Sequence, residues 1–303
     1  MSFTGSFRQH FSSANYVGDR FYFNNTTSSV PIADAAYIET ANNVFGVGGG
    51  DVQEELTLNV WLYPQRNSYV IWSPDTATTE HSVLSVTPTT GNISFEFNGT
   101  GVSNFNAGIQ LNQWNHILIS IKMSNTTVSF GNSGGATFNM TNKRSYNTGT
   151  GKASKTHLVV NGVGYHRYIE PGSSGFFQND FAINSTNLAT YGYYGENNSS
   201  SLELFTSDNV TNTLFGGLYG TGNTALVNAY QGDMYQFWLK NSYYDLLNSA
   251  NVALFRNTNN TSVSALPASP RVHIVGGPDF NIGTTGLGSV DLNNIIGSNR
   301  AYP

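Results

Sequence analysis

The sequence predicts an all-β protein with one short helix, and three observations carry that reading. The segments Glu55–Tyr63, Leu111–Lys122 and Gly232–Leu239 alternate with a period of two, as strands do. Helical character is confined to one place near 249–256, where Asn248 or Ser249 can cap and Val252, Leu254 and Phe255 can pack. Elsewhere Gly, Asn, Ser and Pro punctuate runs of strand length.

The run around which the others are arranged is Gly232-Asp-Met-Tyr-Gln-Phe-Trp-Leu239. Strict alternation puts Met234, Gln236 and Trp238 on one face and Tyr235, Phe237 and Leu239 on the other. Both faces are largely apolar, so the strand is expected centrally, covered on both sides.

Composition bounds the rest. The chain has 303 residues, of which 39% are hydrophobic, 13% aromatic and only 10% charged. Ordinary soluble domains carry about 25% charged residues, so this surface must be built from Asn, Thr, Ser, Gly and Tyr. The net charge is −5, and the 13 Lys and Arg form no footprint for nucleic acid. No basic amphipathic helix and no run of ~18 apolar residues suggests a membrane. Cysteine is absent, which excludes disulfides, thiolate metal sites and cysteine nucleophiles and fits folding in a reducing cytosol. The first residues lack a basic stretch followed by an apolar one, so no signal peptide is expected.

In chain order, residues 1–30 read as a polar arm studded with aromatics. Phe3, Phe7 and Phe11 are candidates for a subunit interface, with a strand packed on its own domain as the alternative. Ala36–Thr40 is a short strand, and Gly48–Gly50 open no helix and precede no Lys-Ser/Thr, so they are no phosphate loop. Leu56, Leu58, Val60 and Leu62 share a face of the strand that Pro64 ends. Further strands are expected at Tyr69–Trp72, Ser82–Thr87 and Asn92–Phe97. Leu111–Lys122 continues through a turn at Met123–Asn125 into a second hairpin strand, Thr126–Phe130. Residues 131–156 and 165–200 read as long loops separated by the strand His157–Val160 and its Asn161-Gly162 turn. Strands return at Ser201–Thr206, Thr213–Tyr219 and Arg271–Val275. Gly276–Pro303 is glycine-rich, and with no repeat and no linker one domain spans 31–290, followed by a C-terminal tail, 291–303.

Two motifs carry a resemblance. Leu111-Asn-Gln-Trp114-Asn-His116-Ile-Leu-Ile-Ser-Ile resembles the W-x-H strand of laminin-G-like and concanavalin A-like jelly rolls. Tyr230-Gln-Gly232-Asp233-Met-Tyr-Gln-Phe-Trp238 resembles their last large-sheet strand. The stretch through Tyr244-Asp245-Leu, Asn251, Phe255-Arg256 and Val272–Pro278 is similar to a variant found in virion structural proteins of tailed bacteriophages. The resemblance implies a two-sheet antiparallel jelly-roll sandwich over about 50–290, with short polar edge strands.

Catalytic chemistry finds little support. Glycosidases of this architecture use paired carboxylates on one strand, whereas Glu54 and Glu55 are adjacent and Glu96 and Glu203 stand alone. The six histidines show no zinc spacing, and His116 reads as a hydrogen-bonded structural residue. No cofactor is expected. Calcium remains a weak candidate at Asp233 and Asp245, with Asp208-Asn209 and Asp279 with Asn281 behind them. Asp233 is better read as fixing the turn before its strand. For glycan binding the requirement is an exposed aromatic plate ringed by amides and hydroxyls. Trp72, Tyr191, Tyr193 and Tyr194 are the candidates, the other three Trp being core.

The expectation is a non-enzymatic virion structural protein on the outside of a tailed-phage particle, as capsid decoration or as a tail fibre or adhesin component. It would bind neighbouring subunits, form a homo-oligomer, and be made in the host cytoplasm without a signal peptide. The alternative is a carbohydrate-binding lectin that attaches to host surface glycans.

Overall fold

The computed structural model describes residues 20–41, 44, 55–74, 81–97, 100–131, 138–140, 144–146, 148–169, 177–178, 193–194, 212–274, 290–297 and 303. They form a two-sheet antiparallel jelly-roll sandwich. The first sheet has nine strands. Its order is β14 (Phe177–Gln178), β13 (Val163–Ile169), β12 (Thr148–Val160), β9 (Asn115–Gly131), β4 (Glu55–Pro64), β19 (Gln231–Lys240), β1 (Arg20–Asn24) and β22 (Ile296–Gly297). Strand β20 (Val272–Ile274) pairs with β19 beyond the end of β1.

The second sheet has eight strands. They run β15 (Tyr193–Tyr194), β8 (Thr100–Asn106), β7 (Asn92–Phe97), β6 (His81–Thr87), β5 (Ser68–Pro74), β16 (Thr213–Phe215), β3 (Tyr37–Thr40) and β21 (Val290–Asn293). A three-stranded sheet of β17 (Leu218–Tyr219), β18 (Ala225–Val227) and β2 (Ser29–Pro31) and a small hairpin of β10 (Phe138–Met140) and β11 (Arg144–Tyr146) complete the strands.

The main core lies between the two large sheets. Leu56, Leu58, Val60 and Leu62 of β4 face Ile71, Leu84, Phe95 and Phe215 of the second sheet across it. The first four sit at alternate positions, as the sequence pattern requires. Phe215 and Phe237 meet edge to face at 5.0 Å and tie the two sheets together.

Strand β19 is central, between β4 and β1, but its faces differ from strict alternation. Met234, Phe237 and Leu239 enter the main core, while Trp238 joins Leu118, Val159, Leu246 and Phe255 on the far side of the sheet. The cause is a bulge. The register to β4 shifts between Tyr235 and Trp238, and Gln236 sits at φ 50. One extra residue swaps the faces of everything after it.

Other expectations are corrected as well. In place of a hairpin turn at Met123–Asn125, β9 is assigned as one strand from Asn115 to Gly131, and its register to β12 shifts between Met123 and Thr127, where Ser124, Asn125 and Thr126 stand against Ala153 alone. Thr126-Thr-Val-Ser-Phe130 has the β-branched content of a strand, and Asn125 lacks the following glycine of a tight turn. The 131–156 stretch, read as a loop, contains β10, β11 and most of β12, and the 165–200 stretch opens inside β13. The Asn161-Gly162 turn is where the sequence placed it, with both residues at positive φ, 51 and 84.

Residues 20–30, assigned to the N-terminal arm, supply β1 and the first two residues of β2, with Phe21 and Phe23 in the main core. Residues 291–297, assigned to the tail, pair with β3 and β1. The helix spans Ser249–Ala253, and the Asn248 side chain caps it by accepting from the Ala250 amide at 3.0 Å.

Candidate functional site

Each large sheet has an outer face, and the two are used differently. On the nine-stranded sheet the segment 241–271 covers β9, β12 and β19. Trp238 Nε1 donates to the Pro267 carbonyl at 3.1 Å, Gln236 Nε2 to that of Val263 at 2.8 Å and Lys240 Nζ to that of Ala268 at 2.9 Å. Trp238 packs edge to face on Phe255 at 5.1 Å, and Phe255 on Tyr244 at 5.4 Å.

Under this cover lies a buried polar chain. Ser120 Oγ donates to Thr57 Oγ1 at 2.8 Å, Thr57 donates to the Ser242 carbonyl at 2.7 Å, and Ser120 accepts from the Tyr244 amide at 2.9 Å. His116 is fully buried, with Nε2 2.7 Å from Asn59 Oδ1. The Asn59 amide is oriented by its own bond to the Gln236 carbonyl at 3.0 Å, so Nε2 carries the proton and His116 is neutral. Burial first, and the Arg256 charge second, push its pKa from 6.5 down to about 3. Trp61 lies against its ring at 4.6 Å. His116 is thus a structural residue, as its place on an apolar strand suggested.

The calcium candidates are not brought together. Asp233 is fully buried in β19, and the Tyr230 hydroxyl donates to the Asp233 carbonyl at 2.8 Å across the turn before it. Asp245 accepts from the Leu247 amide at 3.0 Å and stands 3.7 Å from His157 Nε2. Among the described residues no group of three or more His, Asp or Glu is placed to hold a metal ion. Glu55 pairs with Lys122 at 2.5 Å and accepts from the Tyr243 amide at 3.0 Å, so it anchors the cover.

The eight-stranded sheet is different. Its outer face is partly covered by the three-stranded sheet, through Val30, Tyr37, Leu214 and Leu226, with Trp72 and Tyr219 packed at the margin. Trp72 is half-buried and meets Tyr219 edge to face at 6.0 Å. Beyond this margin one row of the face is polar. Tyr69 of β5 stands opposite Ser85 of β6, and Ser85 opposite Ser94 of β7. Ser94 Oγ accepts from the backbone N–H of Asn104, an exposed residue at φ 53.

The register adds a second row. Leu214, Trp72, Val83, Glu96, Gly101 and Tyr194 are successive partners across β16, β5, β6, β7, β8 and β15. Trp72 and Tyr194, widely separated in sequence, therefore belong to one line across the sheet. Tyr193 pairs with Val102 beside it. Tyr191 and the interface candidates Phe3, Phe7 and Phe11 lie outside the described residues, as do Ser201–Thr206, Asp208-Asn209 and Asp279 with Asn281.

Sequence reading selected Trp72 but missed Tyr69, Ser85, Ser94 and Asn104. The signal was present: Leu84-Ser-Val-Thr87 and Asn92-Ile-Ser-Phe-Glu96 alternate apolar with polar, as strands with one open face do. Of the other tryptophans, Trp61 and Trp238 are core, whereas Trp114 is half-buried just before β9 and packs on Tyr63 at 5.7 Å.

No family model matches this chain, and no curated protein matches it. Among solved structures it is similar to a native heptameric SAP-like pentraxin from Limulus polyphemus, at 9% identity and TM-score 0.45, covering 92% of this chain and 94% of that one. It is also similar to a Bacteroides ovatus protein described as carbohydrate-binding, at 12% identity and TM-score 0.44, covering 94% of this chain and 61% of that one. A third likeness is to mouse laminin alpha1 chain domains LG4-5, at 8% identity and TM-score 0.37, covering 80% and 47% respectively. This chain therefore spans less than two thirds of the second and third.

Proposed function

We propose that this chain is a non-enzymatic, lectin-like module that binds carbohydrate on the outer face of its eight-stranded sheet. The observation that carries the reading is the polar, aromatic-edged face itself. Trp72, Tyr69 and Tyr219 supply ring surface, and Ser85, Ser94 and Asn104 supply hydroxyl and amide groups on the neighbouring row. A sugar presents an apolar face to stack and a rim of hydroxyls to bond, so it needs both kinds of group side by side. The opposite sheet offers no comparable surface where the 241–271 cover closes it.

The test is a glycan array followed by calorimetry. Trp72→Ala should weaken any hit at least tenfold while leaving the melting temperature within a few degrees. An array without hits would sink the reading.

A second reading places the same module on the outside of a tailed-phage particle, in contact with neighbouring virion subunits and copies of itself. The content of only 10% charged residues and the Gly232–Leu239 and Trp114–His116 motifs support it. Electron microscopy of particles carrying the chain tests it, and finding no density for the chain on the shell or tail would overturn it.

A further inference from the structure

Two bulges shape the outer face of the eight-stranded sheet. In β5 the register to β6 shifts between Tyr69 and Ile71. Val70 and Ile71 both enter the main core in consequence. Tyr69 and Trp72, three residues apart, then share the outer face, which strict alternation would deny to one of them. In β8 the register to β7 shifts as well. Ile93 pairs with Phe105 and Phe95 with Val102, so Ser103 and Asn104 stand against Ser94 alone. The intact Ser85–Ser94 pair lies between the two bulges.

Asn104 is held at φ 53, and Ser94 Oγ takes its backbone N–H at 2.8 Å. Inside the described strands one other non-glycine residue has positive φ, Gln236, which is buried and spends its amide on the Val263 carbonyl. Asn104 is exposed, and among the described residues no hydrogen bond to its carboxamide is formed. The neighbouring amides differ. Asn67 accepts from the Thr89 hydroxyl, and Asn106 bonds the Thr90 carbonyl and the Gly108 N–H, so both fasten turns. A costly backbone conformation inside a strand, carrying a side chain left over, points to a use outside the chain. A carboxamide donates and accepts side by side, so it can engage two neighbouring hydroxyls at once. Ser94 Oγ accepts from Asn104 and keeps its own O–H to donate.

We infer, on the carbohydrate reading of this face given above, that Asn104 forms a separate subsite and reads neighbouring hydroxyls on a ring other than the one that stacks at Tyr69 and Trp72. From Tyr69 across Ser85 and Ser94 to Asn104 there are three inter-strand steps, about 14 Å at ~4.8 Å each, too far for one sugar ring to touch both ends. The ligand class is therefore an oligosaccharide laid across β5, β6, β7 and β8. Its first ring rests on the aromatic pair, its middle passes over the half-buried Ser85 and Ser94, and its far ring is bonded by Asn104. The β5 bulge places the stacking rings and the β8 bulge aims the amide, so each irregularity serves one end of the site.

The experiment reads a printed array of glycans of one to six rings with the full chain and its variants, then titrates the best-bound glycan beside the methyl glycoside of each of its rings. Asn104→Gly removes the carboxamide and suits φ 53, so the melting temperature should stay within a few degrees. It should weaken glycans of three or more rings at least tenfold and leave the single methyl glycosides unchanged, whereas Trp72→Ala should weaken both. Asn104→Asp keeps the shape and the acceptor but loses the donor, and its affinity should fall between. Unchanged binding of the longer glycans by either Asn104 variant would overturn the inference while leaving the carbohydrate reading intact. A single ring binding as tightly as the longer glycans would overturn it too. Should Asn104→Gly lose more than a few degrees, Asn104→Asp, which also accepts this backbone conformation, decides by the same comparison. No binding to any glycan would instead remove the carbohydrate reading, and the role of Asn104 with it.

Discussion

The carbonyl oxygen of Tyr63 occupies the space that a side chain on residue 232 would need. A Cβ built on Gly232 would stand 2.0 Å from that oxygen, and Gly232 holds φ 142, a conformation L-residues rarely adopt. The Gly-Asp pair at the head of β19 thus has a backbone explanation: β19 approaches β4 closely enough that only hydrogen fits. Gly232→Ala should cost about 2–4 kcal/mol, since both the strain and the clash fall on backbone. Urea unfolding monitored by tryptophan fluorescence would measure it.

Phe237→Ala should be among the most damaging single changes, at about 3–5 kcal/mol. It removes a ring that is fully buried and in edge contact with Phe215 across the two sheets. Phe237→Leu should cost less than half as much. Chemical denaturation with an unchanged m-value would attribute the loss to packing.

The His116 environment sets a pH dependence with a definite sign. Its folded pKa, about 3, lies below the ordinary 6.5, so the unfolded chain takes up a proton in this interval and the folded chain does not. The stability contributed by neutral His116 is complete above about pH 6.5 and is lost progressively as pH falls towards 3. Protonation would also place an N–H at Nδ1, which has no hydrogen-bond partner. His116→Gln should flatten the decline in melting temperature between pH 6.5 and 4, whatever it does to stability at neutral pH.

Gly162→Ala should destabilise by about 1–2 kcal/mol. The residue sits at φ 84 in the turn joining β12 to β13, and an added Cβ would meet the Arg256 guanidinium, forcing that side chain to move. Pairing the change with Arg256→Ala should recover the steric part but not the conformational part, a difference that a double-mutant cycle resolves.

Much of the architecture was legible because burial and periodicity agree. Leu56, Leu58, Val60 and Leu62 mark one face of β4 without ambiguity, and Asn161-Gly162 marks its turn by the chemistry of positive φ. What escaped was what periodicity cannot encode. Gln236 looks like any strand residue, yet as a bulge it moves Trp238 from the face shared with Met234 to the one beneath the 241–271 cover. Met123–Asn125 looked like a hairpin turn, yet the chain continues along β12 through a shift in register at that place. Tyr69, Ser85 and Ser94 form a surface only once three strands are in register, and pairing register is a tertiary fact. Trp72 could be picked individually, but its alignment with Tyr194 could not.

One pairing described above governs how the protein comes into being. Phe21 and Tyr22 lie against Gly297 and Ile296, and β1 also lies against β19, more than two hundred residues downstream. During synthesis, β1 leaves the ribosome long before any of its neighbours exists. Phe21 and Phe23 must therefore wait, unburied, for nearly the whole chain to be made. Contacts so distant in sequence make for slow folding, and an apolar strand left waiting is an opportunity for aggregation. The time this chain spends incomplete, as well as the final strength of its core, will set how much of it reaches the native state.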